Sequence, residues 1–381
     1  MKIYIIAGEA SGDLHASNLI KQMNAIDNSV SFRGWGGDLM QSQGMVLVKH
    51  YRDLAFMGFV EVLMNIRTIS KNLKFCKKDI LDFKPDALIL VDYPGFNLRI
   101  AEFAQKNGIK VFYYISPQVW AWKKSRVKTI KRVVDKMLVI LPFEKDFYKK
   151  YNYEVDFVGH PLLDVIHKDS KHADNKLFYK KNELLDKPII ALLPGSRKQE
   201  ISTMLNIMLS ICEYFPAYQF VIGGAPSIPD DFYKEFCEKY NLKIIFNQTY
   251  DLLKNSEAAL VTSGTATLET ALIETPQVVC YKGNNLSYQI AKRIINIEYI
   301  SLANLIMDKK IIVELIQSDL NTENLKIELG KILSDKNYRK EILRNYKKLK
   351  EKLGGSGASQ NAAKIILEII NNQKSSIKNH Q

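Results

Sequence analysis

Short apolar runs alternate along the chain with longer segments that have helical periodicity. The first series of runs lies at 3–7, 86–91, 110–116 and 136–141, and the second at 188–194, 218–224, 242–246, 258–262 and 277–281. Runs of this length, each followed by a polar or helical stretch, indicate buried strands that alternate with helices. The pattern therefore predicts an α/β architecture in which helices wrap parallel sheets.

A polar stretch without periodicity separates the two series and begins near residue 165. We predict two doubly wound, Rossmann-like domains that face each other across a central cleft, at 1–165 and 166–353. The sequence "GGSGAS" interrupts a helical C-terminal region, and we expect 354–381 to form a helix that packs back on the first domain, with a polar tail. Such sheets bind ligands at the carboxyl ends of their strands.

The chain of 381 residues is strongly basic, with a formal net charge of +13 and a pI near 9.2. This charge favours an anionic partner: nucleic acid, an anionic membrane surface or a phosphorylated substrate. The cysteines form no CxxC pair and the histidines no HxxxH or HExxH spacing, so we expect reduced thiols and no metal. The absence of the patterns GxxxxGK[ST] and GxSxG argues against P-loop NTPases and serine hydrolases. The sequence has no signal peptide and no apolar run of about 18 residues, which predicts a cytoplasmic protein, soluble or bound to a membrane surface.

Two turns in the second half suit the binding of a nucleotide diphosphate. The first, "LLPGSRKQEI", places Gly195, Ser196 and Arg197 between a strand and a helix, where backbone amides and a guanidinium can hold an anion. The second, "VTSGTATLETALIETP", offers small residues that phosphates can approach closely: Ser263, Gly264, Thr265 and Thr267. Glu269 follows one turn into the helix, where it can accept hydrogen bonds from ribose hydroxyls. The alternative for this turn is a well-capped helix start.

A carboxylate stands at the end of a very apolar strand in "LVDYPGFNLRIAE". Asp92 would face the predicted cleft there, and a buried carboxylate costs free energy unless it has partners or a task. We therefore predict that Asp92 is a general base that takes a proton from an incoming hydroxyl, against the alternative of a turn or capping carboxylate. Asn97 is expected to cap the helix that follows.

The loop "AGEASGDLHAS" follows the first strand. Its glycines permit a tight turn with backbone amides that would cradle an anion, although an ordinary strand–helix turn fits equally well. The stretch "SPQVWAWKKSRVKTIKRV" adds Trp120 and Trp122 beside a basic helix. That combination suits a phosphorylated lipid, a sugar or nucleic acid, and the alternative is two packed indoles beside a solvated face. The residues assigned to the acceptor side of the site are Glu9, Ser11, Gly12, Asp13 and Trp120.

An apolar segment precedes a cluster of cations between residues 55 and 78. Its apolar side chains occupy nearly every side of a helix, and lysines or arginines follow at 67, 71, 74, 77 and 78. Large apolar side chains beside cations are typical of a segment that lies in the interface of an anionic membrane. A fully buried helix would also be apolar on nearly every side. The predicted membrane-contact residues are Phe56, Met57, Phe59, Val60 and Leu63.

Eight stretches together resemble the lipid-A-disaccharide synthases, a family of GT-B glycosyltransferases. They are "AGEASGDLHAS", "FMGFVEVL", "SPQVWAW", "LPFEKDFY", "FVGHPLLD", "LLPGSRKQEI", "SGTATLE" and "SLANL", in the family's order from residue 7 to residue 305. The resemblance implies an inverting transfer from UDP-2,3-diacylglucosamine to 2,3-diacylglucosamine 1-phosphate, which gives a β-1,6-linked disaccharide 1-phosphate and UDP. It implies no cofactor and no metal, and a peripheral location on the cytoplasmic face of the inner membrane of Gram-negative bacteria.

The resemblance also implies residue roles. Asp92 matches the aspartate proposed as the base, and Arg197 matches the arginine of the diphosphate site, so both are expected to be catalytic. Glu269 and Asn304 match positions in the nucleotide pocket. One departure is Gly95, which stands where the family often has a second acidic residue and which leaves Asp92 as the only carboxylate of "VDYPGFN".

Two alternative functions stay open on the sequence. Another UDP-sugar enzyme of the same fold, a peptidoglycan glycosyltransferase or a UDP-sugar 2-epimerase, would use the same two turns. A basic nucleic-acid-binding protein would account for the charge and the tryptophans. It leaves the two turns without a role, so we expect no nucleic-acid partner. The sequence does not fix the oligomeric state, and the glycines before the last helix allow a homodimer.

Overall fold

The structure is a computed structural model that describes residues 1–54, 66–121, 124–168, 175–283 and 298–378. It divides into two compact units. Unit 1 comprises Met1–Asp164 and Leu353–Gln381, and unit 2 comprises Val165–Lys352. The chain therefore leaves unit 1 once and returns to it for the last helix.

Unit 1 is built on a sheet of seven strands. The strands are β1 (Lys2–Ala7), β2 (Ser31–Gly36), β3 (Val46–His50), β4 (Ala87–Val91), β5 (Lys110–Tyr114), β6 (Lys136–Val139) and β7 (Asp156–Phe157). The helices are α1 (Ala10–Ile26), α2 (Asp38–Ser42), α3 (Ile66–Phe83), α4 (Pro94–Lys106), α5 (Arg126–Val133), α6 (Phe143–Lys149) and α7 (Leu162–Lys168), with a 3-10 helix at Tyr51–Leu54. The strand order is β3-β2-β1-β4-β5-β6-β7, and all of these pairs are parallel.

Unit 2 is built on a sheet of six strands. The strands are β8 (Ile189–Leu193), β9 (Gln219–Gly224), β10 (Lys243–Phe246), β11 (Ser256–Thr262), β12 (Gln277–Tyr281) and β13 (Val313–Ile316). The helices are α8 (Asn175–Lys181), α9 (Lys198–Leu209), α10 (Asp231–Tyr240), α11 (Thr249–Lys254), α12 (Thr265–Leu272), α13 (Leu302–Met307), α14 (Thr322–Ser334) and α15 (Lys336–Lys352), with a 3-10 helix at Cys212–Tyr214. The order is β10-β9-β8-β11-β12-β13, again with parallel pairs. The last helix, α16 (Ala358–Lys378), belongs to unit 1.

Each face of the unit 1 sheet has its own hydrophobic core. Successive strand residues point to opposite faces, so Tyr4 and Ile6 of β1 pack on one side while Ile3 and Ile5 pack on the other. All residues of β4 are buried, as expected for a parallel sheet that is covered on both faces. The second of these cores is completed by α16, which lies against α1 and contributes Ile366 among other apolar residues.

The start of α16 is fixed by Asp164, the last residue of unit 1 before the chain enters unit 2. Its carboxylate accepts hydrogen bonds from the backbone amides of Gly357 and Ser359, the second at 2.9 Å. The amide of His160 also donates to the carbonyl oxygen of Leu353 at 3.2 Å. These bonds tie the segment that leaves unit 1 to the segment that returns.

The fold class predicted from the sequence is confirmed. The chain forms two parallel-sheet α/β units, and its last helix packs on the first. All nine apolar runs lie on strands. The pattern does not predict β2, β3, β7 and β13, which lie at or next to sheet edges and therefore mix polar and apolar residues, as "SFRGWG" does in β2.

In both sheets the strand order reverses beside the first strand of the unit. The chain builds β1, β2 and β3 in one direction and then places β4 on the other side of β1. Unit 2 repeats this arrangement, with β8 and β11 at the reversal. Such a reversal is the usual ligand site of doubly wound sheets, because the loops that follow its two strands diverge and leave a crevice between them.

Within the described ranges, no helix is both long enough and apolar enough to cross a membrane. Nor do the residues that the structure describes bring together three His, Cys, Asp or Glu side chains as a metal site would. The four cysteines are free thiols, and Cys76 and Cys280 are buried.

We expect Asp164→Ala to lower the free energy of unfolding of unit 1 by about 1–3 kcal/mol, because the start of α16 loses the acceptor of two amides. All three tryptophans lie in unit 1, so fluorescence during chemical denaturation reports on that unit. Asp53→Ala removes an exposed carboxylate of the same unit and is the matched control. Equal stability of the two variants would contradict this role for Asp164.

Candidate active site

The reversal point of unit 1 brings Glu9 next to Asp92. Strands β1 and β4 are neighbours, and Ala7 pairs with Val91 at their carboxyl ends. Glu9 is the N-cap residue of α1, and Asp92 is the first residue after β4. Two carboxylates from separate loops therefore meet at one edge of the sheet, close enough for the charge of Glu9 to act on Asp92.

The backbone at Asp92 has an unusual conformation. Both Asp92 and Tyr93 have positive φ angles, 44° and 47°, which cost roughly 1–2 kcal/mol for each residue other than glycine. The Asn97 amide donates to the carbonyl oxygens of Asp92 (2.8 Å) and Val91 (3.2 Å), and the Tyr113 hydroxyl donates to that of Asp92 (2.6 Å). The expectation that Asn97 caps the helix is therefore wrong, because its side chain fixes the strand end. Strain held in this way is concentrated at functional sites.

The pKa of Asp92 is raised to about 7. Burial is the main cause, because it disfavours the charged carboxylate, and the nearby charge of Glu9 is the second. A hydrogen bond from the backbone of Tyr93 acts in the opposite direction. The ionised form of Asp92 therefore gains population as the pH rises through 7, which suits a general base at neutral pH.

The remainder of the loop after β1 is closely packed on its inner side. A Cβ atom on Gly8 would lie 2.4 Å from the Tyr93 ring, and one on Gly12 would lie 3.3 Å from the Cβ of Ala7. Glycine at position 8 is therefore required by the close approach of the aromatic ring. Ser11 is exposed. The anion cradle expected in this loop stays a prediction.

Asp13 points into the protein. Its carboxylate accepts hydrogen bonds from three amides at the start of α2, those of Gly37 (2.8 Å), Leu39 (3.1 Å) and Met40 (3.0 Å). Asp13 therefore caps α2 and holds it to α1. The buried carboxylate thus has a structural role behind the loop, and its predicted place on the acceptor side stays a prediction.

Trp120 packs edge-on against Phe143, with ring centroids 5.0 Å apart. The neighbouring Glu144 is buried, and its carboxylate accepts a hydrogen bond from the Leu141 amide at 3.0 Å. Burial raises the pKa of Glu144 to about 8, while the Leu141 amide, Ser116 and Trp120 favour its charged form. A buried carboxyl group that no local pattern had marked therefore lies beside the "SPQVWAW" stretch.

In unit 2 the two turns that suit a diphosphate follow neighbouring strands. Leu193 of β8 pairs with Val261 of β11, so the turns 195–197 and 263–265 lie at the same edge of the sheet and on either side of the reversal point. The sequence predicts each turn separately. Their adjacency comes from the strand order.

A carboxylate of the chain itself occupies the first turn. Glu200 accepts a hydrogen bond from the Ser196 amide at 3.0 Å. Gly195 has a φ of 112°, and a Cβ atom there would lie 2.1 Å from Oε2 of Glu200. Arg197 is exposed at the N-cap of α9. One amide of the predicted anion site is therefore already bonded to Glu200, which the sequence analysis missed.

The second turn is more open. Gly264 is the N-cap residue of α12, and a Cβ atom placed on it would meet no atom of the described residues within 4 Å. Thr265 is exposed and Ser263 is half-buried. Thr267 is buried, and its hydroxyl donates to the carbonyl oxygen of Gly264 at 2.8 Å. The start of α12 is thus accessible. Thr267 shapes the turn, and its place in the nucleotide site stays a prediction.

Glu269 lies on α12, one turn beyond its start. The Tyr250 hydroxyl donates to its Oε1 at 2.9 Å. Burial raises the pKa of Glu269, and the hydrogen bond from Tyr250 opposes that shift. A carboxylate can accept several hydrogen bonds, so the bond from Tyr250 is compatible with a ribose hydroxyl as a further donor.

Asn304 is fully buried, and its side chain is used within the protein. Its Oδ1 accepts from the amides of Ile311 (2.8 Å) and Ile312 (3.0 Å), and its Nδ2 donates to Glu314 at 2.8 Å. Asn304 therefore positions the "SLANL" stretch, and its contact with a nucleotide stays a prediction.

Glu314 on β13 fixes that stretch and was missed by the sequence analysis. Its carboxylate accepts from the amides of Ile300 and Ser301, both at 3.0 Å, and from the Ser301 hydroxyl at 2.7 Å. The Ser263 hydroxyl donates to the carbonyl oxygen of Ile300 at 3.5 Å, so the stretch adjoins the second turn. No local signal marks Glu314, because its partners meet it only through the folding of β13 into the sheet.

Six predicted residues lie outside the residues that the structure describes: Phe56, Met57, Phe59, Val60, Leu63 and Trp122. The cations that follow the apolar segment lie on α3, where Arg67, Lys71 and Lys74 are exposed. Phe75 beside them is 49% exposed. Lys78 pairs with Asp82 at 2.9 Å.

Comparison with known proteins decides the family. The family model for lipid-A-disaccharide synthetase matches residues 3–370. The lipid-A-disaccharide synthase of Syntrophus aciditrophicus is 41% identical over 375 residues, which cover 97% of each chain. The chain belongs to the lipid-A-disaccharide synthetase family. Members of this family are glycosyltransferases, so the resemblance and the enzyme class predicted from the sequence are confirmed.

Solved structures share the fold of this lipid-A-disaccharide synthetase family member at low sequence identity. The UDP-GlcNAc 2-epimerase from Neisseria meningitidis bound to UDP-GlcNAc has a TM-score of 0.68 and 14% identity, and the match covers 97% of this chain and 100% of that one. The calicheamicin glycosyltransferase CalG4 has a TM-score of 0.60 and 13% identity, with 96% and 98% covered. Because these likenesses show the fold alone, the family match carries the functional conclusion and does not favour the epimerase, peptidoglycan or nucleic-acid alternatives.

We expect Glu9→Gln to lower the pKa of Asp92 below about 7, because the substitution removes a nearby negative charge and keeps the side-chain shape. Carbon-13 NMR of labelled aspartate carboxyl groups would follow the titration, with Asp92→Asn to assign the signal. Glu102→Gln on α4, whose carboxylate pairs with Arg132, is the matched control and should leave the titration unchanged. The same Asp92 pKa in both variants would rule out the coupling.

Proposed function

We propose that the chain joins UDP-2,3-diacylglucosamine to 2,3-diacylglucosamine 1-phosphate and releases UDP with the β-1,6-linked disaccharide 1-phosphate. The single observation that carries the proposal is Asp92, a strained and mostly buried carboxyl group with a pKa of about 7 at the reversal point of unit 1. It is supported by membership in the lipid-A-disaccharide synthetase family.

The chemical step is a single displacement. The ionised carboxylate of Asp92 accepts the proton of the acceptor 6-hydroxyl while that oxygen attacks the anomeric carbon of the donor. The bond from the anomeric carbon to the diphosphate oxygen breaks, its electron pair leaves with UDP, and the configuration inverts. General base catalysis of this kind contributes about 10²–10⁴-fold to the rate.

Glu9 acts through Asp92 in this scheme. Its negative charge helps to keep the pKa of Asp92 near neutrality, so that the carboxylate is basic enough to take a proton from an alcohol. Because position 95 is a glycine, "VDYPGFN" has one carboxylate, Asp92. Glu9 supplies a second carboxylate from the loop after β1.

The leaving diphosphate is assigned to unit 2. Arg197 and the amides at the start of α12 would hold its oxygens and stabilise the charge that develops on UDP. Ser196 would contribute its amide once Glu200 withdraws from it. Glu269 would accept hydrogen bonds from the ribose hydroxyls, while Asn304 and Glu314 keep the adjoining "SLANL" stretch in place.

Attachment to an anionic membrane surface is part of the same proposal, because both substrates carry acyl chains. The exposed cations Arg67, Lys71 and Lys74 of α3 and the half-exposed Phe75 would meet lipid headgroups on the cytoplasmic face of the inner membrane. The predicted contact residues between 56 and 63 would extend that surface.

The purified protein should form the disaccharide 1-phosphate from the two acylated glucosamine substrates, as detected by mass spectrometry. Asp92→Asn should lower kcat at least about 100-fold, because the amide cannot take the proton, and UDP affinity in calorimetry should stay unchanged. The kcat/KM of the native chain should rise with pH through about 7, as Asp92 ionises. Asp146→Asn, at an exposed position, is the matched control. Full turnover by Asp92→Asn would remove Asp92 as the base.

Arg197→Ala should weaken UDP binding about 10- to 100-fold, because it removes a charged, planar donor from the diphosphate. Calorimetry with UDP measures the effect directly. Lys198→Ala is the matched control: it removes the adjacent cation, which lies over the Phe232 ring. Equal UDP affinities of the two variants would place the diphosphate away from Arg197.

A further inference from the structure

Helix α15 carries an unusual concentration of positive charge. Its 17 residues, "KNYRKEILRNYKKLKEK", include eight lysines and arginines and only two glutamates. The helix is about 25 Å long. This charge is not used by the predicted nucleotide site, whose turns precede α9 and α12.

One side of α15 is fully committed to unit 2. Ile342, Tyr346 and Leu349 are buried there. Two of the cations flank this side and pair with acids of other elements: Arg339 with Glu257 at 3.0 Å, and Lys350 with Glu274 at 2.6 Å. These two pairs account for the cations that have a role in holding the helix.

The other six cations share the outward side and are all exposed. We call them the basic face: Lys336, Lys340, Arg344, Lys347, Lys348 and Lys352. Five of them follow one another at intervals of four residues, which places them in a row along the helix. None of the six is within ion-pair distance of an acid among the described residues of the chain. Like charges at this spacing destabilise a helix.

The adjacent helix α14 shows what an ordinary solvated surface of this protein looks like. Its lysines Lys326 and Lys331 each pair with a glutamate three residues earlier, Glu323 and Glu328, at 2.7 Å. Elsewhere in unit 2, Lys243 pairs with Glu183 at 2.8 Å. Two exposed glutamates of the same helix as the basic face, Glu341 and Glu351, offset part of its charge, and the basic face keeps a net excess of positive charge where those surfaces are neutralised.

We propose that the basic face of α15 docks on the anionic headgroups of a lipid bilayer and gives unit 2 a membrane contact of its own. A row of lysines and arginines on a helix surface is what a negatively charged membrane attracts. Bases need aromatic side chains on which to stack, whereas Tyr346 is buried and Tyr338 is half-buried. The choice of lipid over nucleic acid also rests on the proposed function, in which both substrates carry acyl chains.

The full-length protein should co-sediment with vesicles of phosphatidylglycerol and phosphatidylcholine more strongly than with phosphatidylcholine alone. The test variant combines Lys340→Gln, Arg344→Gln, Lys347→Gln and Lys348→Gln. The matched control combines Lys234→Gln, Lys243→Gln, Lys326→Gln and Lys331→Gln, which removes the same charge from cations that have acidic partners. Each near-surface cation changes the partition coefficient roughly fivefold, so four would change it about 600-fold if all of them reach the headgroups. The test variant should lose at least about 20-fold relative to the control, which corresponds to about two such cations.

Equal partition of the two variants into anionic vesicles would overturn the proposal. So would a test variant that loses affinity for a single-stranded RNA oligonucleotide in fluorescence anisotropy while it keeps its affinity for vesicles. Both variants should have the circular dichroism spectrum and the melting temperature of the native chain, which shows that they are folded. Because vesicle binding is measured without substrates, its loss or retention is independent of whether the transfer reaction itself is confirmed.

Discussion

Parallel pairing on both sides of the first strand of each unit is the constraint on which the site depends. It places β4 beside β1 and β11 beside β8, so loops that are far apart in the chain emerge at one edge. In unit 1 this brings the loop after β1 to Asp92, and in unit 2 it brings the turn at 195–197 to the turn at 263–265. Each crevice is therefore a product of strand order, and the side chains in it work only because that order is kept.

Local sequence patterns predict an element well where the hydrophobicity of its own residues marks it as a strand or a helix. The central strands are recognisable as apolar runs because both of their faces are buried, whereas β2 and three of the edge strands, β3, β7 and β13, are not. The same distinction between local patterns and tertiary contacts applies to the residues of the site. Asp92 and Arg197 stand in recognisable local stretches, but Glu9 beside Asp92 and Glu314 behind Ser301 are tertiary contacts, which depend on register and topology. The bond from the Ser196 amide to Glu200 is local, since the two residues are four apart, and it was missed all the same.

Several residues that sequence reasoning placed in the site also hold its loops together. Asp13, Thr267 and Asn304 are buried and form hydrogen bonds within the protein, most of them with backbone groups. A sequence motif does not distinguish residues that contact a ligand from residues that hold the loop in shape, because a binding loop needs both. The positive φ angles at 92 and 93 illustrate the point, since the bonds from Asn97 and Tyr113 hold a conformation that the two residues would not adopt alone.

The return of the last helix to unit 1 makes unit 2 an insertion within it, and this has a consequence for biosynthesis. A ribosome finishes residues 165–352 before it makes α16, so unit 2 has its complete sequence while one core of unit 1 still lacks Ile366 and its apolar neighbours. Unit 1 therefore cannot complete that core before unit 2 has been synthesised, although N-terminal domains generally fold first. A nascent chain that stops before α16 would leave the apolar surface beside α1 exposed. We would expect a chaperone to bind the nascent chain at that surface.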